Sequence, residues 1–275
     1  MNVIDGILKL AKEYEASDVH INTDNPPVIR VDGVLRRLDA ANMTPADLEV
    51  CVRELVGDIN FAKLEQGEDI DCSYTDSDGD RFRVNAYRQM GELAAAVRIL
   101  SGEIPTLEQY NMPAIIAKLA ELPRGLVLVT GPTGSGKSTT LAGMIDHINV
   151  SKALHILTLE DPVEYIHHQK LSMITQREIN KDSRSFNEAL RSALREDPDI
   201  ILVGEMRDPE TIALALTAAE TGHLVLSTLH TVGAPDTINR IIDSFSGDQQ
   251  EQVRAQLSTS LKGTSSKVLF PYSST

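Results

Sequence analysis

The sequence predicts an α/β protein: a mostly parallel sheet covered by helices on both faces, preceded by a smaller α+β domain. From residue 126 onward, apolar β-runs (Leu126–Val129, His155–Leu159, Ile200–Val203, Leu224–Leu226) alternate with helical patterns at 137–148, 184–196, 209–220 and 234–244. Such continuous apolar strands, spaced by helices, are buried on both faces and joined by crossovers. The first hundred residues instead carry short strands and a hairpin signal. A glycine-rich octapeptide, Gly131 to Ser138, joins the strand at 126 to the helix at 137. With 275 residues the chain has room for about two domains.

In the first domain, Val3, Ile7, Leu10, Ala11 and Tyr14 recur at helical spacing and predict a helix over 2–16. Asp18–Ile21 and Pro27–Val31 read as strands, and Asp32-Gly33 turns the chain into a third, Val34–Leu38. A helix is expected from Pro45 to about Gly57. The strands Asp71–Thr75 and Arg81–Arg88 bracket Asp76-Ser77-Asp78-Gly79-Asp80. That acidic cluster reads as a hairpin turn rather than a calcium loop, because the glycine is not at position six after the first Asp and no Glu occupies position twelve. A further strand near Leu93–Leu100 completes the domain. Pro105 and Pro113 mark a linker. The expected organisation is a first domain over 1–101, a linker over 102–113, the α/β core over 114–263, and an atypical, flexible tail over 264–275, half of it Ser or Thr.

Composition narrows the partners. There are 40 acidic and 26 basic residues, a formal net charge of −14, and both halves are acidic without a basic stripe. Nucleic acid is therefore a disfavoured partner. The only cysteines are Cys51 and Cys72, which fits a reducing compartment and gives no disulfide framework or zinc quartet. The N-terminus lacks a positively charged leader and no apolar run is long enough to span a bilayer, so a cytoplasmic protein without a transmembrane segment is expected.

The octapeptide Gly131-Pro132-Thr133-Gly134-Ser135-Gly136-Lys137-Ser138 is a complete P-loop in the strand-to-helix context that it requires, with Thr139 following. Its glycines let successive N–H groups point into one concavity, at a helix N-terminus that favours phosphate. Lys137 is expected to reach the β/γ oxygens and the Ser138 hydroxyl to ligate Mg²⁺, making ATP and Mg²⁺ the expected ligands. Asp199–Glu205 is an apolar strand ending in a carboxylate, the layout of a Walker B element, and Glu205 is expected to face the P-loop and support the metal. A second acidic cluster, Glu160-Asp161-Pro162-Val163-Glu164, also closes an apolar strand. Thr221 to Thr231 is a strand with His223 at one end and His230 at the other.

Taken together these stretches resemble the secretion ATPases of type II and type IV systems, and within them the type IV pilus retraction ATPases. The likeness runs from about residue 4 to 263 and includes Glu15–Ile21, Pro27–Leu38, Arg81–Arg88, the P-loop, Thr158–Tyr165, Arg195–Asp208, Thr221–Thr231 and Thr237–Asp243. The resemblance implies a RecA-like P-loop NTPase core after a PAS-like N-terminal domain, assembled into a homohexameric ring that docks on the inner-membrane platform of a pilus or secretion machine. It implies that Glu164 is the general base, that Glu205 supports the Mg²⁺ shell, and that His230 contacts the γ-phosphate. Arg81, Arg83 and Arg98 resemble N-terminal arginines that reach toward phosphate, against the alternative of surface ion pairs on strands. His223 is equally well read as structural or as lying behind the site. Two cysteines cannot supply the four-cysteine metal site of extension and secretion members, which favours retraction. The family's helical C-terminal region has no counterpart after Gly263. A helicase-like ATPase and a nucleotide-binding module without turnover are the other readings.

Overall fold

The computed structural model describes residues 2–100 and 102–267. The chain divides into two compact units at Gly102/Glu103.

The first unit opens with α1 (Val3–Glu13), whose N-terminus is capped by the Asn2 side chain accepting from the Asp5 N–H, and which buries Ile4, Leu8 and Ala11. Its strands are β1 (Asp18–Asn22), β2 (Val28–Val31), β3 (Val34–Arg37), β4 (Ile70–Thr75), β5 (Arg81–Gln89) and β6 (Glu92–Ile99). They form one sheet in the order β3-β2-β1-β6-β5-β4, every neighbour antiparallel. The acidic stretch between β4 and β5 is the expected hairpin turn, with Gly79 at φ 88° and the Asp76 carboxylate accepting from the Asp78 and Asp80 N–H groups. Helix α2 (Pro45–Glu65) starts in a capping box between Thr44 and Asp47. It does not stop at Gly57: that residue bends it at φ 75°, and the chain resumes helix so that Phe61 and Leu64 are buried in the same core. Glycine allows the bend because it lacks the Cβ that disfavours positive φ.

The second unit contains α3 (Ala114–Ala120), β7 (Gly125–Thr130), α4 (Lys137–Ser151), β8 (His155–Glu160), β9 (Met173–Glu178), α5 (Phe186–Ala193), β10 (Ile200–Val203), α6 (Pro209–Glu220), β11 (Leu224–Leu229), α7 (Ala234–Asp243), α8 (Gln250–Ser260) and β12 (Leu261–Ser266). All six strands are parallel, in the order β12-β7-β11-β10-β8-β9. Alternate residues feed two cores: Leu126, Leu128, Leu157 and Ile201 face one layer of helices, and Val127, Val129, Ile156 and Leu202 face the other. Leu107, in the stretch read as a linker, is buried in the second of these cores.

Four elements of this unit, α3, β9, α8 and β12, were not marked by apolar patterning. In α8 only Val253, Leu257 and Ser260 are buried, too few for a visible stripe. The tail expected to be flexible from Thr264 begins instead as strand: Gly263 to Ser266 pair with Val127 to Thr130 of β7. Leu119 packs closely over this strand: a Cβ on Gly263 would come within 2.9 Å of its side chain. Residues 268–275 of that tail lie outside the described residues. No helix among the described residues is long and apolar enough to cross a membrane.

Leu128 is fully buried in the strand that leads into the P-loop. Leu128→Ala is expected to lower unfolding free energy by about 2–5 kcal/mol, measured by urea denaturation followed by circular dichroism.

Candidate active site

The parallel register brings the strand ends to one edge of the sheet. Val203 of β10 pairs with Leu159 of β8 and Ser227 of β11, and Leu229 of β11 pairs with Thr130 of β7. The residues that follow, Glu160 to Glu164, Gly204-Glu205, His230 and the P-loop, therefore emerge at the carboxyl edge of the sheet, where open α/β sheets bind ligands. Hydroxyls lock the central pair: Ser227 Oγ donates to the Val203 carbonyl at 2.7 Å and Thr228 Oγ1 to the Gly204 carbonyl at 2.6 Å.

The P-loop backbone is built on positive φ at Gly131 (143°), Gly134 (77°) and Gly136 (83°), the last serving as the N-cap of α4. A Cβ on Gly131 would strike the Lys267 carbonyl oxygen and lie 2.7 Å from Ser135 Oγ. Ser135 Oγ is itself buried without a hydrogen-bond partner. Lys137 is buried, and its ammonium donates to the carbonyls of Gly131 at 2.9 Å and Pro132 at 3.0 Å. Burial pulls its pKa below the usual lysine range, and the negative charges of Glu164 and Glu205 oppose that pull. The two acids singled out from the sequence thus share the electrostatic environment of the P-loop lysine. A glycine-lined cradle, a buried cation donating only to backbone carbonyls, and an orphaned hydroxyl together fit the phosphates of a nucleotide.

Glu205 is largely buried, with its Oε1 2.5 Å from Arg207 Nη2 and its Oε2 3.8 Å from His230 Nε2. The imidazole of His230 is held below the ordinary histidine pKa by desolvation first and by the Lys137 charge second. Ser138 lines a small cavity with Glu160, Tyr165, His167, Gly204 and Thr228. The Ser138 hydroxyl and the Glu205 carboxylate are hard oxygen donors of the kind that Mg²⁺ accepts alongside phosphate and water. Thr139 Oγ1 is 3.0 Å from the Tyr165 hydroxyl, which ties the start of α4 to the residue after Glu164.

The remaining sequence candidates make other contacts. His223 sits at the opposite edge of the sheet, its Nδ1 2.9 Å from the Ala218 carbonyl, which makes it a structural link to the end of α6. Arg81, Arg83 and Arg98 are on β5 and β6 of the first unit. Arg83 forms a bidentate pair with Asp71, Arg98 donates to Asp18 at 2.9 Å, and Arg81 is buried with a contact to Thr75 Oγ1.

Two residues that carry the site were not distinguished by the sequence. Gln176 of β9 grips the segment beyond Glu164 at both ends of its amide: Nε2 donates to the Tyr165 carbonyl at 2.9 Å and to Glu160 Oε1 at 3.3 Å, and Oε1 accepts from the His167 N–H at 2.8 Å. Glu160 is half-buried and accepts from Thr158 Oγ1 at 2.7 Å, and desolvation pushes its carboxyl up to about 7. Within the acidic cluster, nothing in residue type or spacing separates Glu160 from Glu164. What separates them is place, since Glu160 is the last residue of β8 and Glu164 lies in the segment that follows the strand.

Residues 1–271 match the family described as type II/IV secretion system protein. The chain belongs to that family. The type IV pilus retractation ATPase PilT of Pseudomonas aeruginosa is 47% identical over 266 residues, which cover 97% of this chain and 77% of that protein. A twitching motility protein of Neisseria gonorrhoeae is 51% identical over 243 residues, 88% of this chain and 65% of its own length. Among solved structures, that of the pilus retraction motor PilT with bound ADP matches with a TM-score of 0.93 and 48% identity, covering 98% of this chain and 79% of that one. The parallel second unit accords with the RecA-like core that the resemblance implied.

Glu160 sets a pH dependence. A carboxyl at about 7 in the folded state holds a proton that the unfolded chain has already released above its ordinary value near 4.5. Stability therefore falls as pH rises from about 4.5 to 7, by on the order of 3 kcal/mol. Glu160→Gln, which mimics the protonated form, is expected to match the parent at pH 4.5 and to exceed it in stability at pH 8, measured by denaturant titration at the two pH values.

Proposed function

We propose that the chain is an ATP-hydrolysing motor subunit of the pilus-retraction kind, with the P-loop lysine and the acids Glu164 and Glu205 as its reaction centre. The observation that carries this is their convergence on one sheet edge in a chain 47% identical to a retraction ATPase.

On this reading the backbone N–H groups of residues 131–137 bind the β- and γ-phosphates, and Lys137 exchanges the carbonyls of Gly131 and Pro132 for phosphate oxygens. The exchange favours binding, because a buried ammonium donating only to neutral acceptors gains a full opposite charge. The Ser138 hydroxyl and, through water, Glu205 would hold Mg²⁺, which supplies charge neutralisation of the phosphates. Glu164 accepts the proton of the attacking water. Gln176 and the Tyr165–Thr139 contact keep the loop bearing Glu164 at a set height above α4. His230, held neutral by its surroundings, donates from a ring N–H to the γ-phosphate, and Arg207 keeps the Glu205 carboxylate oriented.

The larger assembly rests on the resemblance. Residues 1–101 act as a PAS-like domain and 114–263 as the motor core, joined through 102–113. The subunits form a homohexamer on the cytoplasmic side of the inner membrane, peripheral to it and docked on the platform of a pilus machine. Arg81, Arg83 and Arg98 approach the nucleotide phosphates, which requires Arg83 and Arg98 to leave Asp71 and Asp18. Differential contacts with ATP and ADP then drive rigid-body rotation of the domains.

Phosphate release tests the chemistry. Glu164→Gln is expected to lose about 10²-fold or more in turnover while still binding ADP by calorimetry, and turnover at the parental rate would remove Glu164 from the role of base. Lys137→Ala is expected to lose measurable affinity for both ATP and ADP in the same calorimeter.

A further inference from the structure

A second lysine stands on the other side of the P-loop. Lys267 follows β12, and its backbone N–H donates to the Thr130 carbonyl at 2.8 Å, so the strand delivers it directly beside the last residue of β7. Its carbonyl oxygen is the group packed against Gly131. The side chain runs back along the start of α4: Nζ donates to Thr140 Oγ1 at 2.8 Å, lies 3.9 Å from Met112 Sδ, and sits 4.4 Å above the centre of the Tyr110 ring. A Cβ on Gly136 would lie 3.5 Å from this nitrogen and collide with the Tyr110 hydroxyl.

Each of these partners is neutral. Among the described residues no carboxylate pairs with Lys267, and burial alone pulls its pKa below the usual lysine range. An ammonium withdrawn from water without an acid costs stability unless an anion completes its surroundings. The sheet order says which anion. On one side of β7 stand β11, β10 and β8, which carry His230, Glu205 and Glu164; on the other stands β12, which carries Lys267. A nucleotide with its terminal phosphate toward the acids must run the other way with its α-phosphate and nucleoside, along the start of α4 and toward Lys267 and Tyr110.

We propose that Lys267 is a nucleotide-binding residue, a second cation that engages the α-phosphate side of ATP or ADP across the P-loop from Lys137, with Tyr110 as the platform that holds its ammonium in place. The assignment rests on the ATPase reading of the P-loop. It has a distinctive consequence: ATP and ADP share the phosphate that Lys267 meets, so its loss weakens both to the same extent. It also makes Lys267 a residue held for ligand binding at a cost to the free protein.

The test uses the whole chain, with ATP in the presence of Mg²⁺ and non-hydrolysing conditions, and ADP. Lys267→Met is expected to raise the dissociation constants of both nucleotides by about tenfold or more, the size of one charge-assisted hydrogen bond, while the melting temperature of the nucleotide-free protein is unchanged or raised. Lys267→Gln, which keeps a donor for Thr140 without the charge, is expected to show the same loss and covers the case in which the methionine variant does not fold. If the parent binds both nucleotides and either folded variant binds them equally well, the role of Lys267 is overturned and the ATPase reading stands. Loss confined to ATP also overturns it, by placing Lys267 at the γ-phosphate. If the parent binds neither nucleotide, the ATPase reading falls and this assignment with it.

Discussion

The site depends on the register of four parallel strands. Because β8, β10, β11 and β7 are parallel and in continuous register, the residues that leave them do so at the same edge of the sheet, and side chains separated by almost a hundred positions in sequence share one electrostatic environment. Gly204 shows how tight this edge is: a Cβ there would lie 3.1 Å from the Leu159 carbonyl, so a larger residue at the step from β10 to Glu205 would press against the backbone of β8. The hydroxyls of Ser227 and Thr228 spend their hydrogen bonds on β10 rather than on a ligand, which holds the edge in register while the loops beyond it carry the chemistry.

Charge at this edge is governed by desolvation. Lys137 and Lys267 are both withdrawn from water and both donate to neutral atoms, whereas Glu205 already has Arg207 beside it. Glu160, at the end of β8, is kept neutral by desolvation up to about pH 7. A neutral Glu160 adds no repulsion to Glu164 four residues away, and its hydrogen bonds with Thr158 and Gln176 then serve to hold the loop. Ammonium groups on both flanks of a glycine-lined loop, each donating only to neutral atoms, are the arrangement expected where phosphate is to be the missing partner.

The first unit contributes a different kind of surface. Arg83 and Arg98 are cross-strand neighbours on β5 and β6, a like-charge pairing that is unfavourable on a sheet face unless acids intervene. Asp71 and Asp18 supply those acids. Exposed ion pairs of this sort contribute little to stability, so their exchange for another anion costs little.

Much was legible from residue order alone. The P-loop, the two acidic strand ends and the histidine at 230 carry their chemistry in local spacing, and the buried strands β7, β8, β10 and β11 are apolar enough to be read without a partner. Other features had no local signal. β12 is a strand because β7 offers it an open edge and Leu119 fills the space left by Gly263, and only that pairing brings Lys267 to the P-loop. Helix α2 continues past Gly57 because Phe61 and Leu64 have a core to enter. Gln176 and Glu160 acquire their roles from contacts across strands. Residue types and short spacings determined which chemistry the chain can perform; the pairing of distant strands, decided by packing and backbone hydrogen bonds over the whole sheet, determined which polar side chains support it and which charges are left for a ligand to neutralise.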